Sequence, residues 1–144
     1  MKQVQTIYCD DIRQEIGGKL TYVGVYSGSL LAAAFPVALP KFCVAVTVVA
    51  DSFDPREPLI LRILKDDEVL AEREFSASEL AELVPSAESA ATDAASDRVQ
   101  IVNSFFMFTP FQVDSACVLR VRVMLGNEEL RGVGLKIEKM PAAA

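Results

Sequence analysis

Cys117-Val118-Leu119-Arg120-Val121-Arg122-Val123-Met124-Leu125 is apolar at every odd position and carries both of its charges, Arg120 and Arg122, at even ones. A two-residue period sends successive side chains to opposite faces of a strand, so the odd set marks a core face and the arginines a wet one. The stretch predicts a half-buried β-strand. Gly126-Asn127-Glu128-Glu129 then supplies turn chemistry, and Val133, Leu135 and Ile137 resume the alternation against Gly132, Gly134, Lys136 and Glu138. The two runs read as a hairpin.

The same rhythm recurs upstream. Leu59, Leu61 and Ile63 alternate with Ile60 and Arg62, Asp66-Asp67-Glu68 breaks the run, and residues 69–75 return as a second hairpin strand. Phe42–Ala50 is apolar on both faces and rich in Val, the signature of a strand central to a sheet and to the core, while Pro36 and Pro40 before it mark a loop or edge. At the front, residues 4–9 predict a short strand, residues 10–16 an irregular polar segment, Gly17-Gly18 a turn, and residues 19–26 a strand. Gly24 inside that strand signals a bulge or a close backbone approach. Residues 99–108 form a further strand ending near Pro110.

One helix is expected at residues 76–84, because Ser76-Ala77-Ser78-Glu79 fits a capping box, Leu80, Leu83 and Val84 form an apolar stripe, and Pro85 stops it. Residues 86–97 hold no large apolar side chain and predict a mobile acidic loop, and residues 141–144 a disordered tail. About eight strands with turn signals between them give the expected fold. It is an all-β, antiparallel β-sandwich of immunoglobulin-like or C2-like type with one short helix, a single domain over residues 1–140.

Composition narrows the function. The chain has 144 residues, 51% of them hydrophobic and 24% charged, with a formal charge of -6. Residues 1–50, 51–98 and 99–144 carry +1, -8 and +1, so the acidity belongs to the middle and reads as a solvated face. An acidic chain repels phosphate backbones, and nucleic acid is not an expected partner. The sequence has no His, which removes the usual general base, metal ligand and pH switch together. Cys9, Cys43 and Cys117 are widely separated in apolar runs and read as three buried, reduced thiols. No signal-peptide pattern opens the chain and no apolar run approaches bilayer length, so a cytoplasmic protein with no membrane partner is expected.

Asp10-Asp11, Asp51 with Asp54, and Asp66-Asp67 raise the possibility of Ca²⁺ held on clustered loops. If Leu59 to Lys65 is one strand, however, the second and third sets lie at opposite ends of it, about 20 Å apart. Turn formation explains them more simply. Asp10-Asp11-Ile12-Arg13-Gln14-Glu15 lacks the second half of an acid–base site, and no phosphate-cradling or dinucleotide-binding glycine motif accompanies it. An Asx turn with a surface ion pair is the stronger reading, and neither a catalytic residue, a metal nor a cofactor is expected.

Phe105-Phe106-Met107-Phe108-Thr109-Pro110-Phe111 holds four of the chain's eight Phe. On a strand, alternate members face opposite sides, so one set needs a cover outside the sheet-to-sheet core. Phe105, Phe106, Met107, Phe108 and Phe111 therefore form the candidate interaction surface. The competing expectation is a core strand whose other face the helix at residues 76–84 covers.

Cys9-Asp10-Asp11-Ile12-Arg13 with Glu15, Gly17-Gly18-Lys19, Gly24-Val25-Tyr26, Phe35-Pro36 and Leu39-Pro40 resembles a family of small bacterial β-sandwich domains of unknown function. The similarity covers mainly the first 45 residues. It implies a bacterial or prophage setting and carries over no catalytic residue. The expected function is a non-catalytic protein-interaction or assembly module, self-associating or holding another protein, with a small-ligand or Ca²⁺-binding sandwich domain as the alternative.

Overall fold

The computed structural model describes residues 1–54, 56–83 and 99–142. The strands, in chain order, are β1 (Lys2–Gln14), β2 (Leu20–Val25), β3 (Ser29–Ala32), β4 (Val37–Leu39), β5 (Phe42–Ala50), β6 (Leu59–Lys65) and β7 (Glu68–Phe75). After helix α1 (Ala77–Leu83) come β8 (Gln100–Phe108), β9 (Phe111–Val113), β10 (Cys117–Leu125), β11 (Glu128–Arg131) and β12 (Leu135–Lys139). The expected mobile loop at residues 86–97 lies outside the described residues, as do Val84 at the helix end and the last two residues of the tail.

Two sheets face one another. The first has the order β2-β1-β5-β8, the second β3-β12-β10-β6-β7 with β11 also on β10, and β4 pairs β9 in a small third sheet. All pairings are antiparallel except β12 with β3. The fold is thus an all-β sandwich with one short helix, as the alternation predicts. Val44, Val46, Val48 and Phe106 of the first sheet meet Leu61, Ile63, Leu119, Val121 and Val123 of the second in a single buried cluster. Each such side chain contributes about 1.5–3 kcal/mol on leaving water.

β5 lies between β1 and β8, which explains its lack of polar alternation. Phe42 at its start is fully buried, its ring 4.7 Å from Phe111 in a stack and within 6.4 Å of Tyr8. β6 and β7 form the expected hairpin around Asp66, whose backbone takes φ 54°, and Asp66 Oδ1 accepts the Val118 amide at 3.0 Å. The capping box is present: the Glu79 amide donates to Ser76 Oγ at 3.3 Å, and that hydroxyl donates to Glu79 Oε1 at 3.2 Å.

Two expectations need correction. Residues 10–14 are not irregular but continue β1, because β2 keeps pairing with them beyond the start of β5. Gly24 takes φ +67° opposite this stretch, and a Cβ there would lie 2.2 Å from Asp10 Oδ2, so glycine admits the Asp10 carboxylate that Tyr26 Oη donates to. Pro36 and Pro40 flank the edge strand β4, as the loop-or-edge reading expects, and β3 and β4 are too brief for a periodic signal. The return limb after Asn127 is split into β11 and β12, both on β10, with Gly132-Val133-Gly134 between them. That link crosses to the first sheet: Tyr8 Oη and Thr6 Oγ1 donate to the Val133 carbonyl at 2.6 and 2.9 Å. A Cβ on Gly132 would meet the Thr6 methyl at 2.6 Å, so the close crossing requires glycine.

Candidate interaction surface

The Phe-rich segment divides between two environments. In the β5–β8 register Val44 opposes Phe106 and Phe42 opposes Phe108, which aligns Phe106 and Phe108 with the core side. Phe106 is buried, Phe108 packs against the core, and Phe111, beyond the strand on β9, is buried with its ring 5.4 Å from Phe108. Cys43 opposes Met107 and Ala45 opposes Phe105, on the outward side. Phe105 is 38% and Met107 54% exposed. Of the five candidate residues, these two remain at the surface.

Helix α1 does not cover them. It packs beside β7, in the other sheet, and sends Leu80 into the core. Cross-strand registers extend this outward apolar surface over the first sheet in two rows, bordered by the Asp11–Lys41 ion pair. Val25, Cys9, Cys43 and Met107 form one row over β2, β1, β5 and β8; Ile7, Ala45 and Phe105 form the next. Val23, Val25 and Ile101 add to the exposed apolar side chains. Thr47 Oγ1 donating to Asn103 Oδ1 at 2.8 Å is a polar interruption.

Small residues form the floor of this face. Cys9 and Cys43 are fully buried although they point outward, because larger neighbours shelter them. A depression of about 180 Å³ opens there, lined by Ile12, Gln14, Cys43, Phe105, Phe106 and Met107. It is large enough for one aliphatic side chain. Burial pushes the Cys9 thiol up to about 11 and raises Cys43, so both stay protonated and chemically quiet at neutral pH. The cysteines are free and buried, as expected. Their direct apposition was hidden in the sequence, since only the β1–β5 register brings positions 9 and 43 together.

The aspartate sets do not converge. Asp51 pairs with the Met1 amino group, Asp54 accepts from the Arg56 backbone amide at 2.9 Å and from its guanidinium, and Asp66 caps Val118. Asp11 meets Lys41 at 2.6 Å, and this ammonium hydrogen bond lowers its carboxyl below the ordinary value. Arg13 and Glu15 make the expected surface contact at 4.0 Å. Among the described residues no group of three or more Cys, Asp and Glu side chains is placed to hold a metal ion. Among them too, no helix is long and apolar enough to cross a membrane.

A family model described as a family of unknown function, DUF6941, matches residues 5–138. The comparisons with curated proteins and with solved structures find no match.

Proposed function

The chain belongs to DUF6941, a family of unknown function, and we propose that it is a non-catalytic protein-interaction or assembly module working through the outward face of its four-stranded sheet. The observation that carries this reading is the exposed set Val23, Val25, Ile101, Phe105 and Met107 on one side of one sheet. Isolated surface hydrophobes are ordinary, but a sheet face that pools them beside an apolar depression favours a protein partner. The opening-segment resemblance supports a bacterial or prophage setting, and the acidic charge supports a protein partner over nucleic acid in the cytoplasm.

Photo-crosslinking tests it. With p-benzoylphenylalanine at Met107, irradiation of cells of the native host should give discrete protein adducts that Phe105→Asp abolishes. The same probe at Lys136, on the outward face of the other sheet, should give none. Equal labelling from both positions, or none from Met107, would overturn the reading.

A further inference from the structure

Exposed sheet edges invite pairing with another chain, and proteins usually blunt them with charge, bulges or short length. Three of the outer strands here are blunted. β3 has four residues, β2 is interrupted by Gly24 at φ +67°, and β7 carries Glu68, Glu72, Arg73 and Glu74 beside a register shift at Ile63/Leu64. β11, which pairs the end of β10 that β12 does not reach, likewise has four residues of which three are charged. β8 differs from all of them. Its nine residues, Gln100-Ile101-Val102-Asn103-Ser104-Phe105-Phe106-Met107-Phe108, contain no charge, proline or glycine. Among the described residues no strand pairs with its far side.

The outward row of this edge has a symmetric order. Val99, 44% exposed, precedes the strand, and Ile101, Asn103, Phe105 and Met107 follow at two-residue steps. A two-fold axis normal to the sheet pairs outward residues only with outward residues, so the axis must pass beside one residue and its own copy. With the axis at Asn103, Ile101 opposes the second copy's Phe105 and Val99 opposes its Met107. Every exposed apolar side chain of the row then meets another across the seam, and the amides meet each other. No like charges face one another, whereas β7 paired with its copy would bring glutamates together.

We propose that β8 pairs antiparallel with β8 of a second copy about Asn103, joining two four-stranded sheets into one of eight strands and making the chain a homodimer. This rests on the interaction reading above and names its partner as another copy of this chain.

Cysteine crosslinking reads the register. Directly opposed residues in antiparallel strands lie about 4.5–5.5 Å apart at Cα, within disulfide reach. With glutathione disulfide as oxidant, Asn103→Cys should give a covalent dimer, two thiols losing their protons and electrons to the reagent. Ile101→Cys and Phe105→Cys should crosslink only when mixed, since each residue lies about 14 Å from its own copy in this register. Sedimentation should show a dimer of the unmodified chain, and Phe105→Asp, at an exposed position, should keep its circular dichroism while weakening association about tenfold or more by placing a carboxylate in the seam. A strictly monomeric chain, or a dimer in which Asn103→Cys fails to crosslink, overturns self-pairing. If the chain is monomeric while Met107 still labels other proteins, the interaction reading stands without this partner; if neither occurs, both fall.

Discussion

The outward faces of the two sheets differ in chemistry although their inward faces merge in one core. On the six-stranded sheet, Arg62 reaches Glu72 at 2.7 Å, Arg122 reaches Glu129 at 3.3 Å, and Lys136 lies 3.8 Å from Glu138. On the four-stranded sheet the corresponding rows are Val25-Cys9-Cys43-Met107 and Ile7-Ala45-Phe105. Both sheets bury one side equally well, so the contrast does not come from the fold. Ion pairs at this level of exposure contribute little stability and chiefly keep a face wet and unsociable. On the four-stranded sheet the ion pairs retreat to one end, at Asp11–Lys41, and leave the rows of Met107 and Phe105 without any; there the face is available for company, and that is what the contrast teaches.

The largest expected effect tests whether the inward faces are in fact alike. Phe42→Ala, in the first sheet, and Leu61→Ala, in the second, should each cost several kcal/mol, about 3–5 and about 2–5 respectively, in urea unfolding. A loss under about 1 kcal/mol at Phe42 would remove the first sheet from the common core. Tyr8→Phe deletes one of the two hydroxyl bonds to the Val133 carbonyl that tie the sheets together, and should cost about 1 kcal/mol in the same measurement. Ser104, inside the sandwich, has a buried hydroxyl with no partner among the described residues, so Ser104→Ala should leave stability unchanged or raise it by up to about 1 kcal/mol.

The outward faces separate at smaller magnitudes. Arg62→Ala should cost less than about 1 kcal/mol and progressively less as salt is added. Met107→Ser, measured at concentrations where the chain is monomeric, should change stability by no more than about 0.5 kcal/mol with no salt dependence. The smallest effect at neutral pH concerns Cys9. Its folded thiol is raised from 9.0 to about 11 by burial, so the stability it contributes is complete below 9.0 and is lost as pH rises toward 11. Cys9→Ala should flatten that alkaline decline in pH-dependent unfolding.

Much of this contrast was legible before folding. Arg120 and Arg122 between Leu119, Val121 and Val123 announce one wet and one buried side, and they lie as that pattern requires. The Phe105–Phe108 run announces that alternate members must part company, but its composition is apolar throughout, so nothing local says which set faces in. Register with β5 decides it. For the same reason Phe42–Ala50 reads as covered on both faces, whereas its outward Cys43 and Ala45 are sheltered by neighbours within their own sheet. Asp10 and Asp11 mislead because polar residues in a strand look like a loop when their partners, Tyr26 and Lys41, are distant in sequence. The brief strands β3 and β4, and the parallel pairing of β3 with β12, depend on contacts across more than a hundred residues in the latter case, which no short window contains.

That last pairing has a consequence for how the chain is made. β12 lies between β3 and β10, so β3, synthesised early, has no neighbour in its sheet until residues 135–139 have left the ribosome. The hairpin of β6 and β7 can assemble while translation continues, but the sandwich closes only when one of its latest segments slots into an interior gap. A nascent chain stalled before residue 135 would therefore hold Leu30, Leu119 and the rest of that gap open to chaperones.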